Sequence, residues 1–162
     1  MKSAQKVIGI DPGLAETGFG IVRGSGSQIR DYSFGTIRTS KAETLPDRLH
    51  HIFSELCSIL HSTKPDLMAI EDIFSLKRYP KSGIALGKVC GVILLASSQC
   101  GVAAKEFPAR EIKRVLTGNG NASKRQMERA VRHFLKRDTA ITPSHASDAI
   151  AIALVGMFRQ AS

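Results

Sequence analysis

The sequence predicts an α/β fold: a five-stranded mixed sheet, an antiparallel meander joined to parallel strands, flanked by helices. Three observations carry this. Val7-Ile8-Gly9-Ile10-Asp11-Pro12-Gly13 is an apolar, β-branched run that stops at a carboxylate followed by strand breakers. The two strands that follow are joined by connections too short for crossovers, so they turn back antiparallel. An amphipathic stretch at 44–64 then precedes another short apolar strand at 67–71, and a strand–helix–strand order favours parallel pairing with the first strand.

In the first strand, Val7, Ile8 and Ile10 suit a strand covered on both faces. Pro12 lacks an N–H and Gly13 tolerates positive φ, so the ladder stops after Asp11. Asp11 therefore sits on rigid backbone at a strand's carboxyl end, where open α/β sheets place their ligands. The second strand is expected at 17–22. Gly18 and Gly20 share one of its faces, which suits either close approach to the backbone or a tight bend. The Gly-Ser-Gly-Ser at 24–27 is a hairpin connection into a third strand at 28–38, with Gly35 as its expected bulge.

Thr44 caps a helix with Pro46 and Asp47 in its first turn. Leu45, Leu49, Ile52, Phe53, Leu56, Ile59 and Leu60 recur at helical spacing, and Lys64-Pro65-Asp66 ends the helix. After the strand at 67–71, residues 72–82 read as a polar loop and 82–99 as a second helix. Gly83, Gly87 and Gly91 fall on one stripe of that helix. Such glycines weaken a helix, so a closely packed neighbour, the sheet or another subunit, is expected there. A fifth strand follows at 102–107, then a short helix opened by Pro108 and broken at Gly118-Asn119-Gly120-Asn121. Ser123-Lys124-Arg125-Gln126 is a capping box that starts another helix. A last helix starts at Pro143, with Ile150, Ala153, Leu154 and Met157 on its apolar face.

The 162 residues fit a single domain over 1–162, with no internal repeat, low-complexity tract or dividing linker. Lys and Arg number 23 against 14 Asp and Glu, a net charge of +9, which suits a polyanionic partner or an unspecific basic surface. Residues 105–137 alone hold ten Lys or Arg against three acids. Cys57, Cys90 and Cys100 are odd in number and form no C-x-x-C pair, which reads as small core residues in a reducing compartment. The first six residues carry no signal-peptide core. The longest uncharged run, 89–104, contains Ser97, Ser98 and Gln99 and is short for a membrane span. A soluble cytoplasmic protein with no membrane partner is expected. No G-x-S-x-G, Walker A or H-E-x-x-H motif offers a rival catalytic set.

Parallel pairing of the first and fourth strands brings Asp11 and Glu71 to the same sheet edge, on strands roughly 5 Å apart. Two such anions repel unless a cation or proton lies between them, and carboxylate oxygens favour hard ions such as Mg²⁺ or Mn²⁺. His145 and Asp148 are three apart near the start of the last helix and share a face. Asp148 reads either as a partner of the helix dipole or, flanked by Ala146, Ala149 and Ala151 in a stretch that looks buried, as a functional carboxylate. His145 reads as a packed or surface histidine, or as a ligand. Two ions about 3.5–4 Å apart activate water and stabilise the leaving oxygen in phosphodiester cleavage.

Phe74, Lys77, Arg78 and Lys81 place an aromatic among cations just beyond Glu71, as a group that stacks on an unpaired base or wedges a base step would require. A Phe74 tucked against the core is the plainer reading. Arg125, Arg129, Arg132 and Lys136 suit phosphate contacts or a solvated helix face.

These residues resemble a known family. Ile8-Gly9-Ile10-Asp11-Pro12-Gly13, followed by Thr17-Gly18-Phe19-Gly20, is similar to the opening of the RuvC Holliday-junction resolvases. Ala69-Ile70-Glu71-Asp72-Ile73-Phe74 resembles their second acidic motif, and Ala85-Leu86-Gly87-Lys88-Val89-Cys90-Gly91 their next helix. Pro108-Ala109-Arg110-Glu111-Ile112-Lys113 resembles their basic segment, and His145-Ala146-Ser147-Asp148-Ala149-Ile150-Ala151 their last motif. The likeness runs through almost the whole chain in one order. It implies an RNase H-like fold, a homodimer, and Mg²⁺-dependent paired nicking of four-way junction DNA in recombination and repair. It further implies Asp11, Glu71, His145 and Asp148 as the catalytic metal set, with two Mg²⁺ (or Mn²⁺) per site. Lys113 and Lys124 fall at the family's lysines near DNA, Phe74 at its junction-engaging aromatic, and Lys77, Arg78, Lys81 and Arg125 beside them. RuvA and RuvB are the implied branch-migration partners. Some members carry Asp where His145 stands, and a neutral imidazole changes the charge and proton inventory of the site. Two other readings are a junction-binding module without catalysis and an actin-like ATPase fragment. G-I-D-x-G also opens the actin-like fold, although this chain is short for its two lobes.

Overall fold

The computed structural model describes residues 4–73 and 80–160. Three strands come first: β1 (Gln5–Asp11), β2 (Glu16–Ser25) and β3 (Gln28–Arg38). Helix α1 (Leu45–Thr63), β4 (Leu67–Asp72), α2 (Pro80–Gln99) and β5 (Ala104–Pro108) follow, and then α3 (Ala109–Thr117), α4 (Lys124–Leu135) and α5 (Ser144–Gln160). The strands form one sheet in the order β3-β2-β1-β4-β5. β1, β2 and β3 pair antiparallel, whereas β1 with β4 and β4 with β5 pair parallel. This is the mixed sheet expected from the connection lengths.

Side-chain alternation divides the core into two layers. Val7, Val22, Leu67 and Ala69 belong with α5 on one face. Ile8, Ile10, Ile21, Met68 and Ile70 cluster on the other with Ile52, Leu56 and Leu60 of α1 and Val89, Ile93 and Ala96 of α2. α5 lies almost flat on the centre of the sheet, which requires bare backbone beneath it. A Cβ at Gly9 would stand 2.1 Å from the Ala149 carbonyl oxygen, one at Gly18 2.0 Å from that of His145, and one at Gly20 2.7 Å from Ile150 N. Gly18 and Gly20 thus serve close approach, not a bend.

The helix ends follow local chemistry. The Thr44 side chain accepts from Asp47 N, and Lys64 closes α1 in the left-handed region at φ 46°. Ser123 and Gln126 form the reciprocal capping box of α4. Gly118, at φ 76°, ends α3. Several boundaries move: β2 runs on to Ser25, β4 takes in Asp72, α2 begins at Pro80, and β5 begins only at Ala104.

One expectation is corrected and another is narrowed. The irregularity in the β2–β3 ladder is at Arg23/Gly24, not at Gly35. Gly35 instead leaves room for the Phe19 ring, whose Cζ would be 2.6 Å from an added Cβ. Of the two neighbours expected for the glycine stripe of α2, the sheet does not meet it: among the described residues a Cβ at Gly83 or Gly91 would find nothing within 4 Å, and one at Gly87 only Ile73 Cδ1 at 3.8 Å. Ile84 and Leu95 are 63% and 58% exposed on the same helix. By length and composition alone Lys81–Gln99 could cross a membrane. Its Val89, Ile93 and Ala96 are instead fully buried in the core.

Candidate active site

Register brings the carboxylates together. Ile10 pairs with Ile70 across β1 and β4, so Asp11 and Glu71 each follow a paired isoleucine at the same edge. On the other side Asp11 pairs with Gly18 of β2. Because Gly18 is bare, the first turn of α5 descends onto it, and His145 Nδ1 comes 2.7 Å from Asp11 Oδ2. Thr17, wholly buried, ties the β1–β2 turn: its hydroxyl donates to Gly13 O at 2.7 Å and accepts from Gly13 N at 3.4 Å. Sequence reasoning passes over Thr17 except as part of a motif. Its signal is a hydroxyl four residues after the strand-ending glycine, where it can close the turn.

Asp148 departs from expectation. Its side chain is 42% exposed, not buried, and Lys124 Nζ stands 3.7 Å from its Oδ2. Glu71, Lys113, Lys124 and Asp148 line a single cleft of about 240 Å³, together with Ile112 and Met127. α3, α4 and α5 therefore each supply a wall to a gap whose floor is the sheet edge. Arg125 is exposed one residue beyond Lys124, and Lys81 is exposed in the first turn of α2. Phe74, Lys77 and Arg78 lie outside the described residues.

The carboxylates share an electrostatic field. Burial, with Asp11 and Asp148 adding to it and Lys113 opposing, pushes the Glu71 pKa up to about 7. Burial also raises the pKa of Asp11, against the hydrogen bond from His145; nearby Asp148 adds to the rise and Lys124 offsets it. As the chain stands, no three His, Cys, Asp or Glu side chains among the described residues are close enough to hold a metal ion together. His145 lies 2.7 Å from Asp11, and Lys124 lies 3.7 Å from Asp148.

A family model, Crossover junction endodeoxyribonuclease RuvC, matches residues 7–156. The chain belongs to the RuvC family. The RuvC of Rhodopirellula baltica is 36% identical over 156 residues, which cover 96% of this chain and 88% of that one. The RuvC of Thermosipho melanesiensis is 38% identical over 148 residues, 91% of this chain and 94% of that one. Among solved structures, T. thermophilus RuvC in complex with a Holliday junction substrate superposes with a TM-score of 0.91 at 31% identity, covering 97% of this chain and 95% of that one. The fold is therefore RNase H-like, and a match over nearly the full length sets aside the actin-like reading.

RuvC enzymes are metal-dependent nucleases, and the residues here fit a hard divalent cation. Asp11 and Glu71 end neighbouring strands, His145 lies against Asp11, and Asp148 lines the same cleft as Glu71. Two of the carboxylates, Asp11 and Glu71, are held above their ordinary pKa by burial first and by neighbouring negative charge second. Oxygen donors that lack enough countercharge are the chemistry such an ion satisfies.

Proposed function

We propose that this chain resolves four-way DNA junctions by hydrolysing one phosphodiester bond in each of two strands, with Asp11, Glu71, His145 and Asp148 as the catalytic set. The observation that supports this reading is the placement of Asp11 and Glu71 at the ends of neighbouring strands, with His145 against Asp11 and with Asp148, Lys113 and Lys124 lining the cleft beside Glu71. Divalent ions, two Mg²⁺ or Mn²⁺ per site, would be held by Asp11, Glu71, Asp148 and His145, and would supply an activated water and charge stabilisation for the leaving 3′ oxygen. The chain's own groups supply the rest. Lys113 and Lys124 bind the phosphate backbone beside the scissile bond. His145 Nδ1 lies 2.7 Å from Asp11 Oδ2, in place to relay a proton beside the carboxylate. Gly9, Gly18 and Gly20 let α5 seat this histidine.

The reading extends to assembly. The single domain pairs as a homodimer, so that two sites cut strands of opposite polarity together. The open face of α2, with Ile84, Leu94, Leu95 and the bare Gly83 and Gly91, supports a second copy there. Phe74, Lys77, Arg78, Lys81 and Arg125 engage the junction around each site. RuvA and RuvB deliver the branched DNA, and the work is done in the cytoplasm.

The test is a synthetic four-way junction offered with and without Mg²⁺ to the wild type and to Asp11→Asn. Symmetric nicks that require Mg²⁺ and vanish in the variant, while junction binding persists, are expected. A junction that is bound and never nicked would leave a binding module in place of a nuclease.

A further inference from the structure

A second charged concavity lies at the opposite end of the sheet. It is a cleft of about 600 Å³ between the β2–β3 turn and the end of α4, and Arg129, Arg132, His133, Lys136 and Arg137 line it. A contiguous groove of about 350 Å³ shares Phe134 and Lys136 with it and adds Arg30. Asp11 pairs with Gly18 at one end of β1 and Gln5 with Gly24 at the other, so the hairpin is roughly 20 Å from the catalytic edge at about 3.3 Å per residue. The same interval is spanned by α4. Its twelve residues start at Lys124, beside Asp148, and run about 18 Å to the cleft. Arg125, Arg129, Arg132 and Lys136 follow at spacings that keep them on one face, so a cationic line joins the catalytic site to the cleft.

A merely solvated helix face does not account for this arrangement. The charges converge from three elements: Arg30 from β3, Arg129 and Arg132 from α4, and Arg137 from the segment after it. Two of the guanidinium groups are already oriented. Arg132 Nε is 2.6 Å from Glu128 Oε1, and its Nη1 donates to Asp138 O at 3.0 Å. Arg137 donates from Nε to Thr139 O at 2.9 Å and from Nη1 to Tyr32 Oη at 3.3 Å, with its guanidinium 5.7 Å from the Phe34 ring centre. None of the Arg137 partners is anionic, so its charge is held in place without being neutralised. Arg30, Arg129 and Lys136 are exposed and make no ion pair among the described residues. Asp138 is the one acid lining either concavity among the described residues.

We propose that this cleft grips the phosphate backbone of a junction arm about 20 Å from the cut, as an exosite separate from the catalytic cleft. The inference rests on the junction-DNA reading above. An arm leaving the catalytic edge along α4 reaches the cleft after about six base pairs, at 3.4 Å per pair. Oriented guanidinium forks suit phosphate oxygens better than mobile ammonium groups do. The continuity of charge from the site favours the arm of the bound substrate over an acidic protein segment.

The test uses the full chain without divalent ions, so that no strand is cut, and two four-way junctions. One has arms of about twenty base pairs; the other has hairpin-closed arms of about four, roughly 14 Å long at 3.4 Å per pair, which end short of the cleft. The variant is Arg30→Gln/Arg129→Gln/Lys136→Gln, three exposed positions whose exchange leaves the core alone. On the long-armed junction the variant is expected to bind about tenfold or more weaker at 0.15 M salt. The slope of log K against log salt should flatten by about 2 to 3, at about 0.9 for each phosphate no longer neutralised. On the short-armed junction both proteins should bind alike. Equal weakening on both junctions, or none on either, would overturn the exosite. So would a polyglutamate peptide that binds the wild type as tightly as a twenty-base-pair duplex and loses affinity in the variant, since that marks an acidic protein partner. Failure of the nuclease reading looks different: the wild type would nick neither junction in Mg²⁺.

Discussion

The His145 imidazole and the Asp11 carboxylate lie 2.7 Å apart, though 134 positions separate them in the chain. Asp11 is buried at the end of β1, and desolvation raises its pKa while this hydrogen bond opposes the rise. Replacing His145 with Ala removes the opposing hydrogen bond and the local proton carrier together. Single-turnover nicking should slow by about 10²-fold, within the usual range for removal of an acid–base group. Junction affinity should hold. A rate unchanged across pH 5–9 would show that His145 takes no part in the chemistry.

Glu71 makes the metal-free protein sensitive to pH. Its pKa rises from an ordinary 4.5 to about 7. The folded state thus holds this proton more tightly than the unfolded chain does. The associated stability is fully present below about pH 4.5 and is lost as pH climbs through about 7, a swing on the order of 3 kcal/mol. In chelator, Glu71→Gln should melt higher than wild type at pH 8 and about equally at pH 4.5. Mg²⁺ should raise the wild-type Tm more at pH 8 than at pH 5, because only ionised Glu71 contributes to binding the ion. Thermal melts at the two pH values, with and without Mg²⁺, check both statements.

The glycines under α5 separate stability from catalysis. A Cβ at Gly9 would meet Ala149 O at 2.1 Å in mid-helix, and one at Gly18 would meet His145 O at 2.0 Å at the catalytic turn. Gly9→Ala should cost about 1–3 kcal/mol, the usual range for overpacking a tight core. Gly18→Ala should tilt the first turn of α5 off Asp11 and lower nicking at least tenfold while the far-ultraviolet spectrum stays native. Denaturant melts beside nicking rates distinguish the two.

What the chain announces locally and what only folding creates divide along this boundary. The β-branched run ending at Asp11, the Thr44 cap, the Ser123–Gln126 box and the left-handed stop at Gly118 each depend on a few neighbouring residues, and each is where local chemistry places it. The placement of Asp11 beside Glu71 is also legible, because it follows from connection lengths and strand direction alone. The bulge is not, because a register shift depends on what packs above the strand: Gly35 is occupied by Phe19, leaving Arg23/Gly24 to absorb the irregularity. The alanine neighbours of Asp148 suggest burial that the carboxylate does not have. Ala146 and Ala149 are fully buried, whereas Ala151 lines the cleft beside Asp148 and the carboxylate stands near Lys124, a geometry set by how α4 meets α5. The far cleft draws Arg30, Arg129 and Arg137 from separate elements, so no single window of sequence contains it.

The ion pair between Lys124 and Asp148 contributes little to stability. Both side chains are substantially exposed and 3.7 Å apart, a geometry that contributes about 0–1 kcal/mol. Lys124→Gln should accordingly leave the melting midpoint nearly unchanged. It should weaken junction binding and reduce the salt slope by about 1, the share of a single neutralised phosphate. In the absence of DNA the same substitution frees Asp148 from its resident cation, so Mg²⁺ should bind more tightly than to wild type by calorimetry. On the proposed reading the same ammonium group would serve as phosphate ligand and as countercharge to Asp148. If Mg²⁺ affinity falls in Lys124→Gln, the lysine supports the metal site and does not compete with the ion for it.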